Sequence, residues 1–197
     1  MDIYVVNYIA VEGALLLYEE NKPLFQERFP KFFIKQIEDL KKLCTKTELV
    51  QKRLEKNTKC VYITQIKEGG IFKALWDALE TLKKGCNVFI SEIPIKQEVI
   101  EITELLSENP YEIASSESLL FIAESNSFEE DFEEELKFLE EEGIVIKKIG
   151  STNSTKDKVV IKGENKRFLT PWKRQEKDIK NRKNSEAVYE RKDFKTH

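Results

Sequence analysis

Four adjacent residues, Lys67-Glu68-Gly69-Gly70, set a cation, a carboxylate and two glycines directly before an apolar run of helical spacing. The first N–H groups of a helix have no internal partner and interact favourably with anions. Glycine lets a backbone turn tightly or approach a ligand closely. The stretch can therefore hold a small phosphorylated ligand, with Lys67 as counter-charge and Glu68 polarising a bound amine or holding a water. The same four residues also make an ordinary tight turn in which Glu68 caps the following helix through its dipole. A second polar set, Ser115-Ser116-Glu117, reads as a loop between helical and strand segments. It can hydrogen-bond a ligand, or simply turn at the surface.

Other reactive residue types do not assemble into a catalytic set. His197 is the single histidine and stands at the end of a polar stretch. Cys44, Cys60 and Cys86 lack the CxxC spacing of zinc and redox motifs, so they read as reduced, incidental thiols. Carboxylates are abundant, but those from Glu129 to Glu142 crowd into one segment and read as a solvated helix face. No few-carboxylate arrangement of the kind that holds Mg²⁺ stands out. The expectation is no catalytic residue and no metal ligand.

The elements that would position these residues follow from apolar spacing. Asp2 to Ile9 is rich in β-branched and aromatic residues and predicts a strand. A first strand starting at residue 2 is expected to leave no room for a preceding domain. Ala14 to Tyr18 predicts a short buried helix that breaks near Asn21-Lys22-Pro23, and Phe29-Pro30 restarts helix. Phe33, Ile34, Ile37, Leu40 and Leu43 recur at three and four, which predicts a long helix, with a second at Thr47 to Leu54. Asn57-Thr58-Lys59 closes that pair, and a central strand begins at Cys60.

After Gly70, stepping about 100° per residue places Ile71, Ala74, Leu75, Ala78, Leu79 and Leu82 on one apolar arc, with Phe72 and Trp76 at its edge. The arc is that of a well-buried helix, and its two edge aromatics are candidates for contact with a partner domain. Asn87 to Ile93 predicts a strand, and Pro94 opens a helix that Asn109-Pro110-Tyr111 stops. Leu119 to Ala123 predicts a strand, and Ser127 with Glu130 forms a capping box for an acidic helix ending at Gly143. Ile144 to Ile149 and Lys158 to Ile161 predict strands separated by a polar turn from Ser151 to Lys156. Strands alternating with helices specify a mixed α/β (α+β) sheet with flanking helices.

At 197 residues the chain suits one domain. The expected division is a domain over 1–172 and a polar basic tail over 173–197, mobile or ordered by a partner. Lys and Arg number 33 against 36 Asp and Glu, a net charge of -3 that disfavours a general nucleic-acid binder. The tail after Pro171 keeps nucleic acid as a minor alternative, although aromatic residues are sparse in it. No apolar run reaches the ~20 residues of a membrane span, and Met1 to Val6 lacks the basic start of a signal peptide. A cytoplasmic protein with no membrane association is expected.

Several stretches in order resemble the C-terminal half of the aminoimidazole ribonucleotide (AIR) synthase superfamily, especially the AIR synthase-related and hydrogenase expression/formation proteins. They are Val11-Glu12-Gly13-Ala14, Glu68-Gly69-Gly70 with Ala74-Leu75-Trp76, Ile93-Pro94-Ile95, Asn109-Pro110-Tyr111, Ser115-Ser116 and Ile149-Gly150. The resemblance spans about residues 2 to 170 and implies the family's C-terminal-domain fold, a mixed sheet with flanking helices. It implies ATP and Mg²⁺ only together with an N-terminal-type ATP-binding partner, and no cofactor for this chain alone. Self-association is the other assembly it leaves open. Relatives commonly carry a His-Asp pair where this chain has Thr64-Gln65, so an ionisable pair has become neutral, and Gln65 cannot act as a general base. The chain also ends Phe194-Lys195-Thr196-His197 rather than in the reactive cysteine of the hydrogenase-maturation dehydratases. The expected function is a non-catalytic ligand-binding or assembly subunit, or else half of a split ATP-dependent enzyme.

Overall fold

The computed structural model describes residues 1–43, 47–125 and 144–173. Among them, seven strands form one mixed sheet in the order β2-β4-β1-β5-β3-β6-β7. The strands are β1 (Asp2–Val6), β2 (Cys60–Ile66), β3 (Gly85–Phe89), β4 (Ser115–Ala123), β5 (Ile146–Asn153), β6 (Lys158–Lys162) and β7 (Asn165–Phe168). All neighbours pair antiparallel except β3 and β6, which run parallel. The helices are α1 (Val11–Glu20), α2 (Lys22–Arg28), α3 (Lys31–Asp39), α4 (Glu48–Lys56), α5 (Gly70–Leu82) and α6 (Gln97–Leu105). The expected mixed α/β architecture is therefore the observed one.

β1 lies inside the sheet and is buried on both faces. Ile3 and Val5 point into a core shared with Tyr18, Phe25, Ile37, Leu75, Leu79 and Ile102 from α1, α2, α3, α5 and α6. Tyr4 and Val6 point the other way, into a smaller core with Phe121 of β4 and with Val50 and Leu54 of α4. Tyr4 and Phe121 stack with ring centroids 4.9 Å apart. Strand alternation thus assigns successive residues of one segment to two different helical layers.

Several boundaries differ from the sequence reading. The first strand stops at Val6, because Asn7 and Ala10 take left-handed backbone angles (φ 65° and 61°) that turn the chain into α1. The long helix expected after Pro30 tightens at its end into a 3-10 turn, Leu40–Leu43. The strand expected to run to Ile93 ends at Phe89, and α6 starts at Gln97 rather than at Pro94. β7 was not anticipated; its four residues are all exposed, so they carry no apolar pattern.

The run beginning at Cys60 is not a central strand. It stands at the sheet edge, with Ile66 its one buried residue. Local composition reports that a segment is β-prone, whereas its rank in the sheet depends on which strands pair with it. The capping box at Ser127 and Glu130, the acidic helix to Gly143, Cys44, and the tail with His197 lie outside the described residues. Among the described residues, no helix is long and apolar enough to cross a membrane.

Cys86 sits on the inner face of β3, fully buried, with Sγ 3.9 Å from the carbonyl of Val159. Burial pushes its thiol from an ordinary value near 9 up to about 11. The unfolded chain therefore ionises first, so the contribution is intact below about pH 9 and is lost as pH rises towards 11. Urea unfolding at pH 7 and pH 10.5 should show a loss of about 2 kcal/mol assignable to this group. Cys86→Ala should remove that part of the pH dependence.

Candidate functional site

The C-terminal end of β2 and the start of β4 meet at one corner of the sheet, where Ile66 pairs with Ser115. This pairing brings Lys67, Glu68, Gly69 and Gly70 beside Ser115, Ser116 and Glu117, two stretches separated by more than forty residues in sequence. Lys67 and Glu68 are exposed, whereas Gly69 and Gly70 are buried. Both glycines have positive φ, 88° and 62°, which lets the chain leave β2 and enter α5 across three residues, Lys67 to Gly69.

The corner is shaped by contacts that admit no side chain on the glycines. A Cβ on Gly70 would lie 2.4 Å from the carbonyl oxygen of Tyr111, and one on Gly69 would lie 2.9 Å from the Trp172 ring. A Cβ on Gly13 of α1 would lie 2.2 Å from Ile113 Cγ2. The segment from Pro110 to Ser116 is thus wedged between the first turns of α1 and α5. Asn109 starts it by accepting a hydrogen bond from the Tyr111 N–H at 3.2 Å. The packed side of the Gly69-Gly70 turn is the side of the missing Cβ atoms.

Ser115, Ser116 and Glu117 do not form a surface loop, because β4 already begins at Ser115. Buried Ser115 and Ser118 hydroxyls lie 2.7 Å apart, and Ser118 donates to the Tyr8 carbonyl at 2.8 Å. Mutual hydrogen bonding lets two serines enter the sheet without an unmet polar group. Ser116 is exposed, and its N–H and hydroxyl both donate to Glu12 Oε2. Asn7 donates to the Glu117 carbonyl at 2.9 Å, which holds the left-handed turn after β1 against β4.

Phe72 and Trp76 are half-buried on the outer side of α5. Phe72 stacks on Tyr111 at 5.2 Å, and burial pushes the Tyr111 phenol up against a smaller opposing pull from Arg167. Lys158 holds its Nζ 4.4 Å above the Trp76 ring and 2.5 Å from Glu80. Leu169 donates its N–H to the Lys158 carbonyl at 2.8 Å, and the chain then brings Trp172 to Gly69. Glu12, Asn7, Tyr111 and Trp172 were not among the candidate residues. Glu12 and Tyr111 do lie within stretches that carried the family resemblance, whereas nothing local in the sequence marks Asn7 or Trp172 as part of the corner.

Among the described residues, no three His, Cys, Asp or Glu side chains are grouped to hold a metal ion. What the corner presents to solvent is the Lys67 ammonium, the Glu68 carboxylate and the Ser116–Glu12 pair, whereas Gly70 and Ile71 at the start of α5 are buried and the Gly70 N–H donates to the Lys67 carbonyl at 2.9 Å. This set can bind an anion bearing a hydrogen-bond donor, with Lys67 for the charge and Glu12 or Glu68 for the donor.

No protein-family model matches the sequence, and no curated protein matches it. Solved structures do match, and they show that this chain shares the fold of the hydrogenase maturation protein HypE and of thiamine monophosphate kinase. The hydrogenase maturation protein HypE in complex with ATP matches at a TM-score of 0.66 and 17% identity, over 88% of this chain and 51% of that one. HypE of E. coli matches at 0.67 and 17%, over 88% and 51%. Thiamine monophosphate kinase of Aquifex aeolicus matches at 0.52 and 14%, over 84% and 51%. The chain spans about half the length of these structures.

The wedge makes a paired prediction about the glycines. Gly70→Ala should cost about 2–4 kcal/mol, from positive φ together with a collision against backbone. Gly163→Ala should cost only about 1 kcal/mol, because Gly163 has a similar φ of 58° with nothing within 4 Å of its Cβ position. Urea unfolding of the two variants checks the difference.

Proposed function

We propose that this chain is a ligand-binding half of the AIR synthase-related type, not catalytic by itself, whose corner at Lys67–Gly70 and Ser116 takes a small phosphorylated molecule. The supporting observation is the match of 88% of the chain to about half of a HypE structure that holds ATP. The corner's chemistry fits an anionic ligand: Lys67 supplies positive charge, and the Ser116–Glu12 pair supplies an exposed hydroxyl and a half-buried carboxylate. Thr64 and Gln65, on β2 just before the corner, are neutral and supply no acid/base pair, which favours binding over turnover.

ATP with Mg²⁺ would enter through a second, N-terminal-type polypeptide or domain. On this side of such a cleft, exposed Lys67 is the residue that would face a phosphate. Half-length coverage favours this two-part arrangement as the second reading, a split ATP-dependent enzyme. A published structure of HypE with HypF shows that a protein of this fold engages a partner. The domain over 1–172 is the binding unit in either reading.

Calorimetric titration of the purified chain with ATP·Mg²⁺ and with a simple phosphate monoester tests the proposal. Saturable binding weakened about tenfold or more by Lys67→Ala is the expected result, the scale of one lost charge-assisted hydrogen bond. ADP release by the chain alone, abolished by Glu68→Ala, would overturn the non-catalytic assignment. Native mass spectrometry of the untagged protein separates the two readings, since the split enzyme requires a second stoichiometric polypeptide.

A further inference from the structure

The two edges of the sheet differ in chemistry. β7 is short and its four residues include Lys166 and Arg167, the usual protection of an edge against pairing. β2 reads Cys60-Val61-Tyr62-Ile63-Thr64-Gln65-Ile66, seven residues without a charge or a proline. Among the described residues, β4 is the one strand paired with it. Val61 is 44% exposed, and Cys60, Tyr62, Ile63, Thr64 and Gln65 are only half-buried. A long, apolar, uncharged edge is a template for another strand.

We propose that β2 pairs with β2 of a second copy of this chain, antiparallel about a two-fold axis, so that two sheets join into one. Antiparallel two-fold pairing places a residue opposite its own copy, either Ile63 against Ile63 or Thr64 against Thr64. The Ile63 register sets Lys59 against Lys67 just beyond the strand, whereas in the Thr64 register no two like charges of β2 or its flanks face each other, so the strand does not repel itself. β7 lacks this property, because centring its pairing would set either Lys166 or Arg167 against its own copy. α4 packs on β2 and is joined to it by the short turn Asn57–Lys59, so it runs back along the strand. A two-fold mate therefore sets the acidic start of one α4, at Glu48, towards the basic end of the other, at Lys56, and favours the same partner by charge. The isologous contact closes on itself and leaves the charged β7 edges outermost. The inference is independent of any ligand at the corner.

Sedimentation equilibrium of the full chain over micromolar concentrations tests it. The wild type should be a dimer, Val61→Lys should weaken dimerisation at least a hundredfold, and Phe168→Lys on the opposite edge should leave it unchanged. Amide hydrogen exchange provides a readout that needs no variant: protection of Cys60 to Ile66 should rise with protein concentration. A monomeric wild type, or a dimer equally stable in Val61→Lys, would overturn the proposal. So would protection independent of concentration, which would mean that the chain's own residues 174–197 or another part of the same molecule cover the strand.

Discussion

The closeness of three backbone segments holds the candidate corner together. The stretch from Pro110 to Ser116 lies between the starts of α1 and α5, and at both contacts the neighbouring residue has no Cβ. Interiors are packed densely enough that a single added carbon must displace something. Here the nearest atoms include backbone of Tyr111, Glu112 and Ala114, which cannot swing aside as a side-chain tip can. Since the wedged stretch runs directly into β4, the same contacts set how both helices sit on the sheet.

Polar groups follow from that geometry. The left-handed turn at Asn7 and Ala10 brings the Tyr8 carbonyl to Ser118, and the first turn of α1 brings Glu12 to Ser116. Each buried hydroxyl in the corner is satisfied within the protein, so these bonds rigidify the floor of the site. The proposed ligand chemistry is thereby left to the rim, at Lys67, Glu68 and exposed Ser116.

The outer side of α5 shows how the fold treats apolar surface that sequence alone marks as spare. Phe72 finds Tyr111, and Trp76 lies under Lys158, whose charge is met by Glu80. A lysine stem can cover an aromatic face while its ammonium keeps an acidic partner. Both aromatics remain half-buried, so the outer side of α5 is partly covered from within the chain.

What the sequence determined by itself is local. Periodicity marked α5, the β-branched runs marked β1, β2 and the apolar part of β4, and the Gly69-Gly70 pair marked a sharp strand-to-helix turn; each depends on residues within one or two turns of chain. Ordered short motifs over residues 2 to 170 were enough to place the fold. Only tertiary structure decided that β2 lies at an edge, that Ser115 and Ser118 enter a strand as a bonded pair, and that Glu12, Asn7 and Trp172 join the corner. Those outcomes rest on contacts across gaps such as the 104 residues from Glu12 to Ser116. A pairing at that distance leaves no periodic trace, because it is specified by the joint packing of elements and not by the order of residues within any one of them.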